Sequence, residues 1–163
     1  MVRLATISDA SQVAEIYNHF VEKTIVTFEE TPLTIQEVEK WIEETTSKLP
    51  WFVFEEDGEL LGYAHASSWK SRCAYRNSVE TTVYLRPTAF GKGIGTILYN
   101  SLLTELKQRG FHAAIGGIAL PNEASIALHE KFGFEKIGHF KEVGNKFNQW
   151  IDVGYWQLLI QKS

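Results

Sequence analysis

Three glycines at alternate positions, in Thr88-Ala89-Phe90-Gly91-Lys92-Gly93-Ile94-Gly95-Thr96, mark the segment with the plainest chemical content. Glycine at that spacing lets the chain turn sharply with its N–H groups facing outward. The helix predicted directly behind it adds unpaired amide donors and a partial positive charge, and Lys92 adds a cation. Together these read as a cradle for a pyrophosphate-like anion. The competing reading is an ordinary Gly-rich turn between strand and helix. Neither standard nucleotide loop fits: G-x-x-x-x-G-K-[ST] is absent, and G-x-G-x-x-G would need glycine where Thr96 stands.

A carboxylate lies just upstream. On the predicted strand Ser78–Leu85, Glu80, Thr82 and Tyr84 share one face, while Val79, Thr81, Val83 and Leu85 share the other. Glu80 is thus one strand and a short turn away from the cradle, and partial burial would raise its pKa toward a useful value for a general base. The alternative is a structural carboxylate paired with a nearby Lys or Arg. His129, on a short helix begun by Asn122, has two readings as well: a proton donor or substrate-orienting group, or a structural imidazole. Arg72, Tyr75 and Arg76 precede Glu80 by a few residues and suit an anionic ligand, with bidentate guanidinium contacts and a phenolic donor. Phe28, in the loop Thr24–Pro32, is either an apolar wall or a loop anchor. The single cysteine, Cys73, has no evident activating base and reads as a bystander.

The elements that must position these groups follow from periodicity and capping. Val2–Ile7 alternates as a first strand. Val13, Ile16, Tyr17 and Phe20 form a helical stripe with Ser8 or Asp9 as its cap, and Thr34-Ile35-Gln36-Glu37 is a capping box opening a second helix through Val38, Trp41 and Ile42. Trp51–Glu55 and Leu60–Ala66 flank Asp57-Gly58, a hairpin signal. After the strand Ser78–Leu85, the stripe Ile94, Ile97, Leu98, Leu102 and Leu106 predicts a long helix ended by Gly110. A strand over Phe111–Leu120, a helix from Asn122 to about Lys131, and an antiparallel ribbon (Phe134–Val143 and Gln149–Ile160, turning near Gly144-Asn145) complete the chain. The order β-α-α-β-β-β-α-β-α-β-β predicts an α/β fold, a mixed central sheet of about seven strands with about four helices, in one domain over 1–163.

Composition bounds the function. The 163 residues are 44% hydrophobic with a net charge of −4, enough for a core and unfavourable for a nucleic-acid backbone. One cysteine and five scattered histidines leave no cluster at metal-ligand spacing, so no metal is expected. No apolar run approaches the ~20 residues of a membrane span, and the N-terminus lacks the apolar core of a signal peptide; a reduced, cytoplasmic setting is expected.

Longer blocks narrow the reading. The glycine loop, Val79-Glu80-Thr81-Thr82-Val83-Tyr84-Leu85 and Pro121-Asn122-Glu123-Ala124-Ser125 resemble the GNAT N-acetyltransferase superfamily. Trp69–Glu80, Leu128-His129-Glu130-Lys131-Phe132-Gly133-Phe134 and Asp152-Val153-Gly154-Tyr155-Trp156-Gln157 are similar, more specifically, to phosphinothricin and methionine sulfoximine N-acetyltransferases. The resemblance implies the GNAT acyltransferase fold, acetyl-CoA as acyl donor, and direct transfer to the α-amine of a small L-amino-acid analogue. It implies that the strand carrying Glu80 splays from its parallel neighbour to admit pantetheine along Val83, Tyr84 and Leu85. The pyrophosphate then falls to Phe90, Gly91, Lys92, Gly93, Ile94, Gly95 and Thr96, with Asn122 and Ser125 as further cofactor contacts. Phe90 stands where the family motif (Q/R)-x-x-G-x-(G/A) has a polar side chain, and His129 stands where many members carry Tyr. Glu80 and His129 become the catalytic candidates, and Phe28, Arg72 and Tyr75 the substrate contacts. A homodimer is implied too, in keeping with the aromatic ribbon residues Trp150, Tyr155 and Trp156, although these also suit a core. Other acceptors (a polyamine, an aminoglycoside, a protein N-terminus) and a non-catalytic acyl-CoA-binding module are the alternatives.

Overall fold

Local signals set most element boundaries. In the computed structural model, which describes residues 1–161, the strands are β1 (Val2–Leu4), β2 (Trp51–Glu56), β3 (Glu59–Ser68), β4 (Ser78–Leu85), β5 (Ala113–Ala119), β6 (Glu135–Lys146) and β7 (Gln149–Leu159). The α-helices are α1 (Ala10–Lys23), α2 (Ile35–Thr46), α3 (Ile94–Gln108) and α4 (Glu123–Lys131). The Thr34 box forms as expected: Thr34 Oγ1 accepts from the Glu37 amide at 3.1 Å, and Glu37 Oε2 accepts from the Thr34 amide at 2.8 Å. Asp57 and Gly58 both take positive φ in the β2–β3 turn, and Gly110 ends α3 in the left-handed region.

Two local expectations are corrected. Neither Ser8 nor Asp9 caps α1 with its side chain. The buried Asp9 carboxylate instead takes both terminal nitrogens of Arg3, at 2.9 and 2.8 Å, and the Thr6 amide at 2.8 Å. Burial alone would raise the Asp9 pKa, but the Arg3 and Thr6 hydrogen bonds outweigh it and hold the carboxyl low. The β6–β7 turn is at Phe147-Asn148, both at positive φ, and not at Gly144-Asn145. Gly144 lies inside β6 opposite Ile151, where its missing side chain serves a different purpose described below.

The seven strands form one mixed sheet in the order β1-β2-β3-β4-β5-β7-β6. The two successive strand–helix–strand units, β4-α3-β5 and β5-α4-β6, therefore differ. β4 and β5 pair directly and in parallel, whereas β7 inserts between β5 and β6. Helices cover both faces. Leu98, Leu102 and Leu106 of α3 pack on Ala64, Val79 and Ala114, while Val13, Ile16 and Ile42 of α1 and α2 pack on Val53, Tyr63 and Tyr84. Each fully buried aliphatic side chain contributes roughly 1.5–3 kcal/mol of transfer free energy, so the two layers clamp β4 from both sides.

The ribbon aromatics divide three ways. Trp156 is core, Tyr155 is half-buried, and Trp150 is exposed. For the site, one sheet feature matters most. The β4–β5 pairing covers only Ser78↔Ala113, Val79↔Ala114 and Glu80↔Ile115. Beyond Glu80 the two strands continue, to Leu85 and Ala119, without pairing to each other, and the sheet opens between them.

Candidate active site

A cavity of about 390 Å³ fills the opening. Glu80, Thr81, Thr82, Val83 and Tyr84 form its β4 wall, and Gly117, Ile118 and Ala119 its β5 wall. Asn122, Ser125 and His129 of α4 close one side with Tyr99 of α3. Across from them stand Val26, Thr27 and Phe28 of the α1–α2 loop, with Val143 of β6 and Val153 and Tyr155 of β7.

Glu80 is half-buried, and no hydrogen bond to its carboxylate is found among the described residues; burial and the charge of Lys70 are what act on it. Burial pushes its pKa up, only partly opposed by the positive charge of Lys70. Gly117 gives the Tyr155 ring room: a Cβ there would stand 3.1 Å from that ring, and at an ordinary contact distance of 3.5 Å from Glu80 Oε1. An unpartnered carboxylate of raised pKa at a cavity wall is equipped to take a proton.

His129 sits 3% exposed at the head of a hydrogen-bonded chain. Its Nδ1 lies 2.7 Å from the Ser125 carbonyl, which can only accept, so Nδ1 carries a hydrogen. Its Nε2 lies 2.8 Å from Tyr99 Oη, and Tyr99 Oη lies 3.1 Å from Thr81 Oγ1. Burial lowers the His129 pKa against the opposing Ser125 contact, which favours the neutral ring; its Nε2 can then only accept, and the single Tyr99 hydroxyl hydrogen goes either to Nε2 or to Thr81 Oγ1. Protonation of the ring fixes the direction: Nε2–H donates to Tyr99 Oη, which turns its own hydrogen to Thr81 Oγ1. The ring fits because residue 116 is glycine; a Cβ there would meet His129 Nε2 at 2.5 Å.

The glycine loop lies beyond the cavity lining, at the N-terminus of α3. Gly91 and Gly93 both take φ near +78°, with open space where a Cβ would project. Gly93 is the N-cap, so no side chain caps α3 and its first amides stay available to an anion. Phe90, Gly91, Lys92 and Gly93 are exposed. Lys131 of α4 also reaches this loop, its Nζ donating to Thr96 Oγ1 at 3.3 Å. Leu85 and Leu128 pack beside Gly95, joining β4 and α4 to the loop. Asn122 caps α4, its Oδ1 accepting from the Ser125 amide at 3.1 Å, so its capping role is occupied in full view of the cavity.

The structure thus gathers Phe28, Glu80, Val83, Tyr84, Asn122, Ser125 and His129 around one cavity. Leu85 leads from it to the loop Phe90–Thr96. Arg72 and Tyr75 do not line it; both are exposed beside a short 3₁₀ turn, Cys73–Tyr75. Their loop touches the site through Trp69, whose ring lies 5.9 Å from Tyr155 and carries Lys70 Nζ at 5.2 Å. Sequence reasoning did not single out Tyr99 as functional. It belongs to the apolar stripe of α3, and only its contact with His129 reveals a second use.

The split sheet, the open helix N-terminus and the proton-handling wall fit an acyl-CoA donor: a long chain in the gap and an anion on the loop. Comparison with known proteins agrees. The family model described as "Acetyltransferase (GNAT) domain" matches residues 2–154. The phosphinothricin N-acetyltransferase of Streptomyces coelicolor is 41% identical over 160 residues, covering 96% of this chain and 94% of that protein. The L-methionine sulfoximine/L-methionine sulfone acetyltransferase of Pseudomonas aeruginosa is 34% identical over 159 residues, covering 96% and 92%. A crystal structure of a GNAT superfamily phosphinothricin acetyltransferase from Sinorhizobium meliloti, in complex with acetyl-CoA, superposes with a TM-score of 0.94 at 37% identity, covering 98% of this chain and 87% of that one. The chain belongs to the GNAT acetyltransferase family and is an acetyl-CoA-dependent acyltransferase.

Proposed function

We propose that this enzyme acetylates the α-amine of small L-amino-acid analogues of the phosphinothricin and methionine sulfoximine type. The observation that carries the reading is Glu80, an unpartnered carboxylate of raised pKa on the wall of the split-sheet cavity. Acetyl-CoA supplies the activated acetyl group, and the protein supplies the proton traffic and the alignment. The unpaired edges of Val83 and Leu85 and the walls around Tyr84 hold the pantetheine arm; Asn122 and Ser125 flank it. Gly91 to Thr96 hold the pyrophosphate by backbone amides, with Lys92 and Lys131 as nearby cations. Phe90 contributes no polar contact there.

Glu80 takes the proton of the incoming ammonium, directly or through water. Tyr99 Oη, held by His129 Nε2, carries a proton at the opposite wall for the departing CoA thiolate and regains one from solvent after CoA leaves; the neutral His129 ring, its one hydrogen on Nδ1, orients Tyr99. Both His129 nitrogens are engaged inside the protein, so His129 acts through Tyr99. Phe28 with Val26, Val143 and Val153 offers an apolar surface to the acceptor side chain. Arg72 and Tyr75, on the exposed loop that reaches Tyr155 through Trp69, suit the acceptor's carboxylate. The names of the relatives support a small amino-acid acceptor. A cationic polyamine or aminoglycoside fits less well with the arginines of that loop, Arg72 and Arg76, and a nucleic-acid partner less well with a net charge of −4.

The same reading includes a homodimer. Ile137, Phe140, Phe147 and Trp150 expose apolar surface on the β6–β7 ribbon, and β6 is a sheet edge. Cys73, exposed as a free thiol, suits a reducing cytoplasm. No helix among the described residues is long and apolar enough to cross a membrane.

Release of free thiol from acetyl-CoA, followed over a panel of amines, tests the proposal. Turnover with phosphinothricin, methionine sulfoximine or related L-amino acids is expected, and Arg72→Ala should raise the acceptor KM. Turnover confined to polyamines or aminoglycosides contradicts the acceptor assignment. Tight acetyl-CoA binding with no turnover on any amine contradicts catalysis.

A further inference from the structure

The cavity wall across from α4 comes from two distant segments, and a single buried cation joins them. Lys146, the last residue of β6, is only 2% exposed, yet its charge is carried inward. Its Nζ donates to the Thr27 carbonyl at 2.7 Å and to the Phe20 carbonyl at 3.4 Å. Phe20 is near the end of α1, and Thr27 adjoins Phe28 on the cavity rim. Glu29 and Glu30, from the same loop, supply the opposing charge. Burial lowers the Lys146 pKa and these two carboxylates counter it.

Two residues before Lys146, Gly144 receives the Phe28 ring so closely that any Cβ would overlap it. Strand β6 also bulges between Phe140 and Gly144, which face Val153 and Ile151 respectively. Asp152 fixes the bulge, accepting from the Glu142 amide at 2.8 Å through Oδ1 and lying 2.8 Å from His139 Nε2 through Oδ2. The bulge carries Val143 to the cavity beside Phe28.

We propose that Lys146 is a positioning residue for acceptor selectivity, latching the α1–α2 loop to β6 so that Phe28 and Val143 form one fixed apolar wall. A buried ammonium that ties a carbonyl in the last turns of α1 to one in the loop that follows contributes through where it holds that loop. Without the latch, Phe28 loses its seat on Gly144 and the wall no longer limits acceptor side chains. The gap between β4 and β5, which holds the acyl donor, is built from other elements and keeps its shape. The proposal rests on the amino-acid acceptor reading only for its kinetic arm.

The test compares wild type with Lys146→Met, Lys146→Arg and Gly144→Ala, using amide hydrogen exchange and thiol-release kinetics. Exchange over residues 24–33 should quicken in Lys146→Met and Gly144→Ala while β4 and β5 stay protected, whatever the acceptor is. With a series of L-amino acids of increasing side-chain length, Lys146→Met should raise the acceptor KM about tenfold, the scale of one lost charged hydrogen bond. The acetyl-CoA KM should stay within about twofold, and the dependence on side-chain length should flatten. Lys146→Arg should recover part of both effects. Unchanged exchange over 24–33 overturns the latch. Quickened exchange with equal changes in the acceptor and acetyl-CoA KM, or an unaltered length profile, overturns the selectivity role. A wild-type enzyme inactive on the whole series, with exchange quickened as expected, would sink the acceptor reading while leaving the latch standing.

Discussion

Two histidines in this protein are almost equally buried and have opposite surroundings. His129 is 3% exposed and His65 is 4% exposed. Burial lowers both pKa values, and pushes that of His65 down to about 4. His129 has a partner for each nitrogen and a place on the cavity wall. His65 has no partner for either side-chain nitrogen; it stacks on Trp51 at 4.2 Å, among Trp41 and Tyr63, on the α1–α2 side of the sheet. A shifted pKa therefore does not distinguish a working imidazole from a structural one. Connection does: a proton on His129 has a route to Tyr99 and the cavity, whereas a proton on His65 has nowhere to go.

The contrast can be broken at several points. The largest effect is expected for His129→Phe, which keeps the ring packed against Phe134 but removes both nitrogens. Its kcat should fall about 10²-fold, within the range for loss of general acid–base assistance. A fall of less than about twofold would return His129 to a purely structural role. Gly116→Ala should be milder. It displaces the imidazole rather than deleting it, so kcat should drop about tenfold, with an overpacking cost of about 1–3 kcal/mol measurable by urea unfolding.

The smallest catalytic effect belongs to His65→Phe, with kcat within about twofold of wild type. Its signature lies in stability. Because the folded pKa of His65 is about 4 and its ordinary value 6.5, the unfolded chain binds its proton first as pH falls. Stability is full above 6.5 and declines as pH falls toward 4. His129 adds to the same window, so His65→Phe should flatten part of the decline between pH 7 and pH 4.5 in urea-midpoint measurements. An unaltered slope would mean that His65 is hydrated and not sequestered.

Legibility from sequence followed the range of each interaction. The Thr34 capping box, the Asp57-Gly58 turn and the Gly110 stop are complete within a few residues, and each formed as read. Asp9 was misread as a helix cap because its partner, Arg3, belongs to β1 and its side chain folds back. Gly144-Asn145 carries the same local signal as a turn. What uses that glycine is the ring of Phe28, supplied by a loop far upstream that no local pattern connects to β6.

The site shows the same division. Alternation placed Glu80, Thr82 and Tyr84 on one face of β4, and the glycine spacing located the open N-terminus of α3. The convergence of Glu80 with His129 rested on family resemblance, since only the split between β4 and β5 brings them to one cavity. Tyr99 and Lys146 remained hidden for opposite reasons. Tyr99 sits in an apolar stripe where aromatics are ordinary, and Lys146 sits at the end of a strand where lysines are ordinarily solvated.

The central claim is that Glu80 takes the acceptor's proton, and the pH dependence of kcat/KM in wild type and Glu80→Gln tests it most directly. Wild type should show an acid limb whose apparent pKa lies above the usual carboxylate value, as burial of Glu80 requires. In Glu80→Gln that limb should vanish, with turnover at neutral pH lowered about 10²-fold or more and the acetyl-CoA KM little changed. Retention of both the limb and full neutral activity in Glu80→Gln would contradict the account.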